Sequence, residues 1–253
     1  MIYTFRQNVI DKILIVMLML STGGLLFVFN RNLASILFLL FIVIVIAFLE
    51  KNGKKIIVNT IILTFFTLVI LGLINYFFAI TEQTANKYFY HLLVVTLSVL
   101  FLFHFKNNRT HPLLIRNLYF GLNLIMLHAL FNFIAYFFVK DNLSVITSTY
   151  HECETFLNVF FYTTIRGVMT VFDIEFCRNQ GLFWEPGVLQ TFLNMFFFLE
   201  AFVIKKSKWL LLLTAFVILT TYSTTGIALL ILQLIVYIFS EFISNTFFIP
   251  FIL

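Results

Sequence analysis

Apolar residues run along this chain in long blocks with little polar interruption, each close to the length of a membrane-crossing helix. Crossing the ~30 Å hydrocarbon core takes about 20 helical residues. Blocks of that order cover Ile13–Phe29, Ala34–Leu49, Ile56–Ile80, Tyr88–Phe105, Leu118–Val139 and Pro186–Ile204. Two shorter blocks, Trp209–Tyr222 and Gly226–Phe239, occupy a stretch too long for one helix and barely enough for two. The first block follows Arg6 and Lys12 as a signal peptide would. Its apolar run continues past Ser21–Gly24 with no small-x-small cleavage site, so it reads as an uncleaved span. The pattern predicts an all-α fold, a polytopic transmembrane helical bundle of about eight spans, forming a single membrane domain over residues 1–253.

Composition narrows the class. The chain is 62% hydrophobic and 11% charged, with a mean hydropathy of +1.05. A soluble domain holds roughly 45–50% apolar and about 25% charged residues, so a soluble globule and a disordered chain are both excluded. A disulfide-dense scaffold is excluded too, because Cys153 and Cys177 are the only cysteines. The net charge of +5 comes without a basic run interleaved with aromatics, and no nucleic-acid partner is expected.

Charge instead orients the chain. With the N-terminus in the cytoplasm, inner segments hold Arg6, Lys12, Lys51, Lys54, Lys55, Lys106, Arg109, Arg116, Lys205, Lys206 and Lys208. These are 11 of the 16 Lys and Arg residues. Arg31, Lys87, Lys140, Arg166 and Arg178 fall outside. That alternation is the positive-inside pattern.

One connection is long. Residues 140–185 form an outer loop holding Asp141, Glu152, Glu154, Asp173, Glu175 and Glu185, six of the chain's 11 acids. Long loops in compact folds are functional or disordered, and this one is too aromatic for disorder. Leu157, Phe161, Ile165, Val168 and Phe172 recur at helical spacing, with Asn158, Tyr162, Arg166, Thr170 and Asp173 on the other face. The spacing predicts an amphipathic helix lying on the outer membrane surface. A ninth span here would turn Lys205–Lys208 outward, against the charge pattern.

Two segments carry candidate chemistry. The first is Cys177-Arg178-Asn179-Gln180-Gly181-Leu182-Phe183-Trp184-Glu185-Pro186-Gly187, where the outer loop meets the sixth span. Pro186 suits a first helical position and Glu185 the positive end of a helix dipole, which explains those two as a helix start. It leaves Arg178, Gly181 and Gly187 unexplained. A guanidinium beside a helix N-terminus is a natural phosphate or pyrophosphate site, and glycines let a bulky ligand approach the backbone. The second is Thr220-Thr221-Tyr222-Ser223-Thr224-Thr225-Gly226. It reads either as a turn whose hydroxyls satisfy freed backbone groups or as a saccharide or phosphate site on the same cavity.

Arg178-x-x-Gly181-Leu182-Phe183-x-Glu185-Pro186-Gly187, followed one helical hairpin later by Tyr222-Ser223-Thr224-Thr225-Gly226, resembles the O-antigen polymerase and O-antigen ligase family. The resemblance covers roughly Arg178 to Leu230. It implies a multi-pass protein of the bacterial inner membrane with a periplasmic loop at 140–185. The implied reaction transfers a saccharide from undecaprenyl pyrophosphate to an acceptor sugar, with no cofactor and no metal. Polymerases of this kind join the repeat units of lipopolysaccharide or capsule. Arg178 matches the family's loop arginine and Glu185 its acidic partner, the implied catalytic pair. Arg166, Gly181, Gly187, Ser223, Thr224 and Thr225 are the implied substrate-binding residues. A chain-length regulator and a flippase of the same pathway are implied partners. Family members continue with further helices, whereas this sequence stops at Phe247-Phe248-Ile249-Pro250-Phe251-Ile252-Leu253. The expectation is a truncated or short divergent member.

A ligase moving finished polymer onto lipid A core shares the chemistry. A transporter is the alternative from another class, but transporters place charge at mid-membrane. Asn117, Gly121, His128 and Asn132 share one face of the fifth span and read as interhelical packing or a functional site. His151, Glu152 and Glu154 offer metal-binding types without a second cluster, and Glu200 reads as an interfacial residue within reach of Lys205. Cys153 and Cys177 share the outer loop, as a bridge or as two free thiols.

Overall fold

A computed structural model describes residues 5–49, 55–78, 84–107, 111–147, 152–163, 168–171, 174–204 and 207–248. Its helices, in chain order, are α1 (Phe5–Ser21), α2 (Leu25–Phe29), α3 (Arg31–Leu49), α4 (Lys55–Phe77), α5 (Ala85–Asn107), α6 (His111–Val139), α7 (Pro186–Phe198), α8 (Lys208–Thr220) and α9 (Thr224–Phe248). A π-helical turn, Leu199–Ile204, continues α7. Five short strands lie between α6 and α7: β1 (Ser144–Thr147), β2 (Glu152–Phe156), β3 (Phe160–Tyr162), β4 (Val168–Val171) and β5 (Ile174–Cys177). Four stretches are long and apolar enough to cross a membrane, Tyr88–Phe105, Leu113–Asn142, Pro186–Ile204 and Thr224–Glu241. Asn32–Ile46, Ile62–Phe77 and Lys208–Thr220 are shorter apolar helices. The molecule is a helical membrane protein.

The chain divides into two compact units, Met1–Thr22 with Asn30–Leu118, and Gly23–Phe29 with Tyr119–Leu253. In the first, α3 packs on α1 and α5, and α4 on α5. Leu14, Phe38, Ile42 and Leu97 are buried there. Leu63, Phe66, Ile70 and Phe77 of α4 are exposed, as an all-round apolar helix in lipid would be. Among the described residues of this unit, a buried hydrogen-bonded pair joins α1 to α5: His104 Nε2 lies 2.7 Å from Asp11 Oδ1.

In the second unit, α7 packs against α8 and α9. Leu189, Leu193, Phe196 and Phe197 form its buried stripe, at the helical spacing an amphipathic helix needs. The strands make two small antiparallel sheets, β1-β2-β3 and β4-β5. In the first, Ser144 pairs with Thr155 and Thr147 with Glu152, while Phe156 pairs with Phe160 across a tight turn. A cluster of Tyr136, Tyr162, Phe176 and Cys177 joins the end of α6 to these sheets.

Two expectations are corrected here. The amphipathic surface helix is absent among the described residues: Leu157, Asn158 and Val159 form a turn, Phe161 and Tyr162 belong to β3, and Val168 and Thr170 to β4. Ile165, Arg166, Phe172 and Asp173 lie outside the described residues. The two-residue alternation is visible in β2, where Cys153 and Thr155 are buried while Glu152 is exposed. Leu157, the expected start of an apolar face, is 75% exposed at φ 54°.

The first apolar block is likewise not one helix. It breaks at Thr22–Gly24, between α1 and α2. Gly23 sits at φ 154°, and a Cβ there would meet the Trp184 ring at 3.0 Å. Gly24 bridges Phe183, with Trp184 N donating to Gly23 O (3.0 Å) and Leu25 N to Leu182 O (2.9 Å). Two glycines with bare backbone thus receive an incoming segment, and the helix yields to those bonds. Glu200 is 1% exposed. The π-turn carries it inward, where Tyr119 Oη donates to its Oε2 (2.8 Å) and Ser207 N to its Oε1. Its expected neighbour Lys205 lies outside the described residues.

Candidate functional site

The two candidate segments meet through the Arg178 side chain. Its Nε donates to the carbonyl of Thr221 (3.3 Å) and one terminal nitrogen to that of Tyr222 (3.2 Å). Those carbonyls close α8, the end toward which a helix dipole presents negative charge. Thr221 N bonds Ile218 O and Tyr222 N bonds Leu219 O, so the turn is tight, and Tyr222 turns the chain through φ 49°. A permanently charged guanidinium has five N–H donors, and two are used here. The half-buried Arg178 therefore keeps donors beside the start of α9.

The next residue holds this arrangement. Asn179 is 2% exposed. Its Nδ2 donates to Ala129 O (2.8 Å) and Thr220 Oγ1 (3.0 Å), and its Oδ1 accepts from Asn132 Nδ2 and Gly181 N (3.2 Å each). Its backbone N donates to Thr220 O (3.0 Å). Asn132 in turn pins the loop to α6. Its Oδ1 accepts from Phe161 N (3.0 Å), its Nδ2 reaches Phe161 O (3.2 Å), and its carbonyl accepts from Tyr162 Oη (3.0 Å). His128 Nε2 lies 2.9 Å from Val159 O, with its ring stacked on Phe160. The polar face of α6 therefore grips loop backbone as well as packing inside the bundle. Asn179 went unnoticed in the sequence because nothing in a lone asparagine announces four partners. Thr163 Oγ1 donates to the Gln180 side-chain carbonyl, while Gln180 Nε2 is buried without a hydrogen-bond partner among the described residues.

The remaining candidates separate. Gly181 is buried at φ 57°, against Leu189 and Ala129. That conformation favours glycine. Glu185 is exposed at the start of α7, with Pro186 as its first residue, and its carboxylate makes no cap hydrogen bond. Among the described residues it forms no ion pair with Arg178; backbone carbonyls orient the guanidinium instead. Gly187 has room for a Cβ, its nearest neighbour being Glu185 Oε1 at 3.5 Å. Ser223 is buried at the entry to α9, and Thr224 and Thr225 are exposed on its first turn. Gly226 is packed hard on α7, where a Cβ would lie 2.7 Å from Gln190 Oε1. Arg166 and His151 lie outside the described residues.

Cys153 and Cys177 are buried free thiols. Burial pushes Cys153 up to about 11 and Cys177 up to about 12, the latter against small opposing effects of the Thr163 carbonyl bond and Arg178. Burial also raises the Tyr162 phenol. All three are neutral at pH 7 and serve as packing.

Chemically, the arrangement is a fixed cation beside the first turn of a long helix that exposes two hydroxyls. That geometry suits an anion with several oxygens. No family model, curated protein or solved structure matches the chain.

Proposed function

We propose that the protein is a polysaccharide polymerase of the bacterial inner membrane, joining repeat units carried on undecaprenyl pyrophosphate at the periplasmic face. The single observation that carries this reading is the contact of Arg178 with the Thr221 and Tyr222 carbonyls. It sets a guanidinium beside Thr224 and Thr225 at the start of α9, as grip on a lipid pyrophosphate requires. Arg178 holds the pyrophosphate and stabilises charge on the leaving group. The acceptor sugar hydroxyl attacks the anomeric carbon and the bond to pyrophosphate breaks. The exposed Glu185 carboxylate takes the hydroxyl proton. Gly181, Gly187 and Ser223 shape the approach, with Arg166 as a second loop cation. In this reading α1 and α3–α9 make eight crossings, with the N-terminus and Lys208 cytoplasmic, and a flippase and chain-length regulator act alongside.

The test is long-chain polysaccharide in cells lacking their own polymerase, with the full gene expressed if this chain is part of a longer one. Arg178→Lys keeps the charge and loses the planar fork, so polymer is expected to fall by about a hundredfold at unchanged protein level. Wild-type chain lengths from that variant would overturn the role.

A further inference from the structure

At the end of the second unit where α7 gives way to its π-turn, a cavity of about 220 Å³ opens between the π-turn, α8 and α9. Glu200, Ser207, Lys208, Tyr237 and Glu241 line it. Its walls carry both charge signs, yet among the described residues Lys208 closes no ion pair with either carboxylate. Opposite charges held apart around an opening keep their hydrogen-bonding capacity for a ligand that also bears both signs. Glu200 already accepts from Tyr119 and Ser207, but a carboxylate offers about four acceptor positions, so each oxygen retains one. Ser207 lies against Glu200 through its backbone N and precedes α8 without capping it by its side chain, so its hydroxyl is not spent on the helix.

The surroundings are those of a lipid–water boundary. Trp209, next to Lys208, is 80% exposed, and Leu212 and Phe216 continue its stripe along α8, both also exposed. A tryptophan beside a lysine at the foot of an apolar stripe is the residue pattern of a membrane interface. Anything entering the cavity with tails would lay them along that stripe.

We propose that this cavity binds a zwitterionic phospholipid headgroup carrying a primary ammonium and a phosphodiester, the chemistry of phosphatidylethanolamine. The ammonium donates to Glu200, Glu241 and the Tyr237 hydroxyl, while the phosphodiester takes Lys208 and the Ser207 hydroxyl. A trimethylated headgroup lacks the N–H donors the carboxylates require, and an anionic one lacks the ammonium. The site does not depend on the polymerase reading, since none of its residues belongs to the Arg178 site.

The test uses the full chain purified in detergent, with lipid retention counted by native mass spectrometry and the melting temperature followed in parallel. Dioleoyl phosphatidylethanolamine, phosphatidylcholine and phosphatidylglycerol are added separately at equal concentration, with soluble glycerophosphoethanolamine as a fourth arm. Phosphatidylethanolamine is expected to be retained about tenfold over the other two lipids, with a rise in melting temperature. Glu241→Gln and Lys208→Ala, both at the rim, are each expected to erase most of that preference while the lipid-free protein melts as wild type. Equal retention of all three lipids, or an unchanged preference in both variants, would overturn the site. Stabilisation by glycerophosphoethanolamine with no lipid preference would overturn the assignment to a membrane lipid.

Discussion

The two compact units share the same apolar residue types, and the second carries a dense knot of polar ties around one loop. In the first unit, Thr67, Thr96 and Ser98 return their hydroxyls to carbonyls four residues back in their own helices. Asp11 and His104 are tied by a buried hydrogen bond across 93 residues of sequence. In the second unit, polar ties between elements cluster: Asn179 to Ala129 and Thr220, Asn132 to Phe161, Arg178 to the Thr221–Tyr222 turn, Asn194 to Gly226. In lipid, apolar surface does not drive helices together as it does in water, so packing and hydrogen bonds carry specificity. A helix that only has to be present can be apolar on every side, as α4 is. A backbone that must present one arginine at one place needs geometry no apolar contact supplies.

The comparison predicts where damage is greatest. Asn179→Leu removes one end of four side-chain hydrogen bonds and deprives Asn132 Nδ2, Ala129 O, Thr220 Oγ1 and Gly181 N of that partner in a buried setting. At ~1–3 kcal/mol for each stranded group, the expected loss is about 4 kcal/mol or more. Thermal melting of the purified protein should fall by roughly 10 °C, and the Arg178 site should be lost with it. A melting point within about 2 °C of wild type would show that the hub does not hold the unit.

The Asp11–His104 tie of the first unit is the matching target. Replacing His104 by Leu removes the group 2.7 Å from the Asp11 carboxylate. A buried carboxylate that loses a hydrogen-bond partner costs roughly 1–3 kcal/mol, so a loss of about 2 kcal/mol is expected. Asp11→Asn with His104→Gln, a neutral pair able to hydrogen-bond, should recover more than half. Proteolysis mapping should show early cutting in Met1–Thr22 or Asn30–Leu118, with Tyr119–Leu253 protected. Simultaneous loss of both regions would erase the distinction drawn between the units.

The helices were legible because apolar blocks of that length have few alternatives. Blocks such as Tyr88–Phe105 and Pro186–Ile204 lie inside helices as expected. What failed was local and polar. The role of Gly23-Gly24 lies in the distant Leu182–Trp184 backbone that docks there, which no local pattern encodes. The loop between α6 and α7 was read by a four-residue period that Leu157 and Phe161 satisfy by chance. Its β-branched and aromatic content, as in Phe160-Phe161-Tyr162, is the competing signal, and antiparallel partners far apart in sequence decide the outcome. At the site, both segments were recognised separately. That Arg178 would answer to carbonyls rather than to Glu185 depends on the fold of the Thr221–Tyr222 turn, which spacing does not encode.

Two glycines of the same motif sharpen the reading further. Gly226→Ala brings a methyl within 2.7–3.0 Å of Gln190, and overpacking costs ~1–3 kcal/mol, only partly offset by the better helix propensity of alanine. A net loss of about 1–2 kcal/mol is expected, with Gln190→Ala relieving it in the double variant. Gly187→Ala meets only ordinary contact at 3.5 Å and should stabilise α7 by up to about 1 kcal/mol. If polymer formation falls while stability rises, Gly187 serves the ligand. If both hold, it serves neither.

The smallest effect lies in the loop. The β2–β3 turn places Leu157 and Asn158 both at φ 54°, the left-handed pair that two consecutive primed-turn positions require. Asparagine tolerates this, whereas a leucine's Cβ crowds the following carbonyl at roughly 1–2 kcal/mol. Leu157 gains little burial in return, being 75% exposed. Leu157→Gly removes the steric cost and loosens the unfolded chain, two effects of opposite sign, so a net gain of about 0.5–1 kcal/mol is expected from melting curves. Leu157→Asn keeps a side chain and should gain as well, by a smaller amount. The turn is tied to α6 through Val159 and His128, so a gain would strengthen the frame that holds Asn132 and, through it, Asn179. A loss in both variants would mean that the exposed leucine is itself held by something, and the bilayer surface is the apolar phase it would meet.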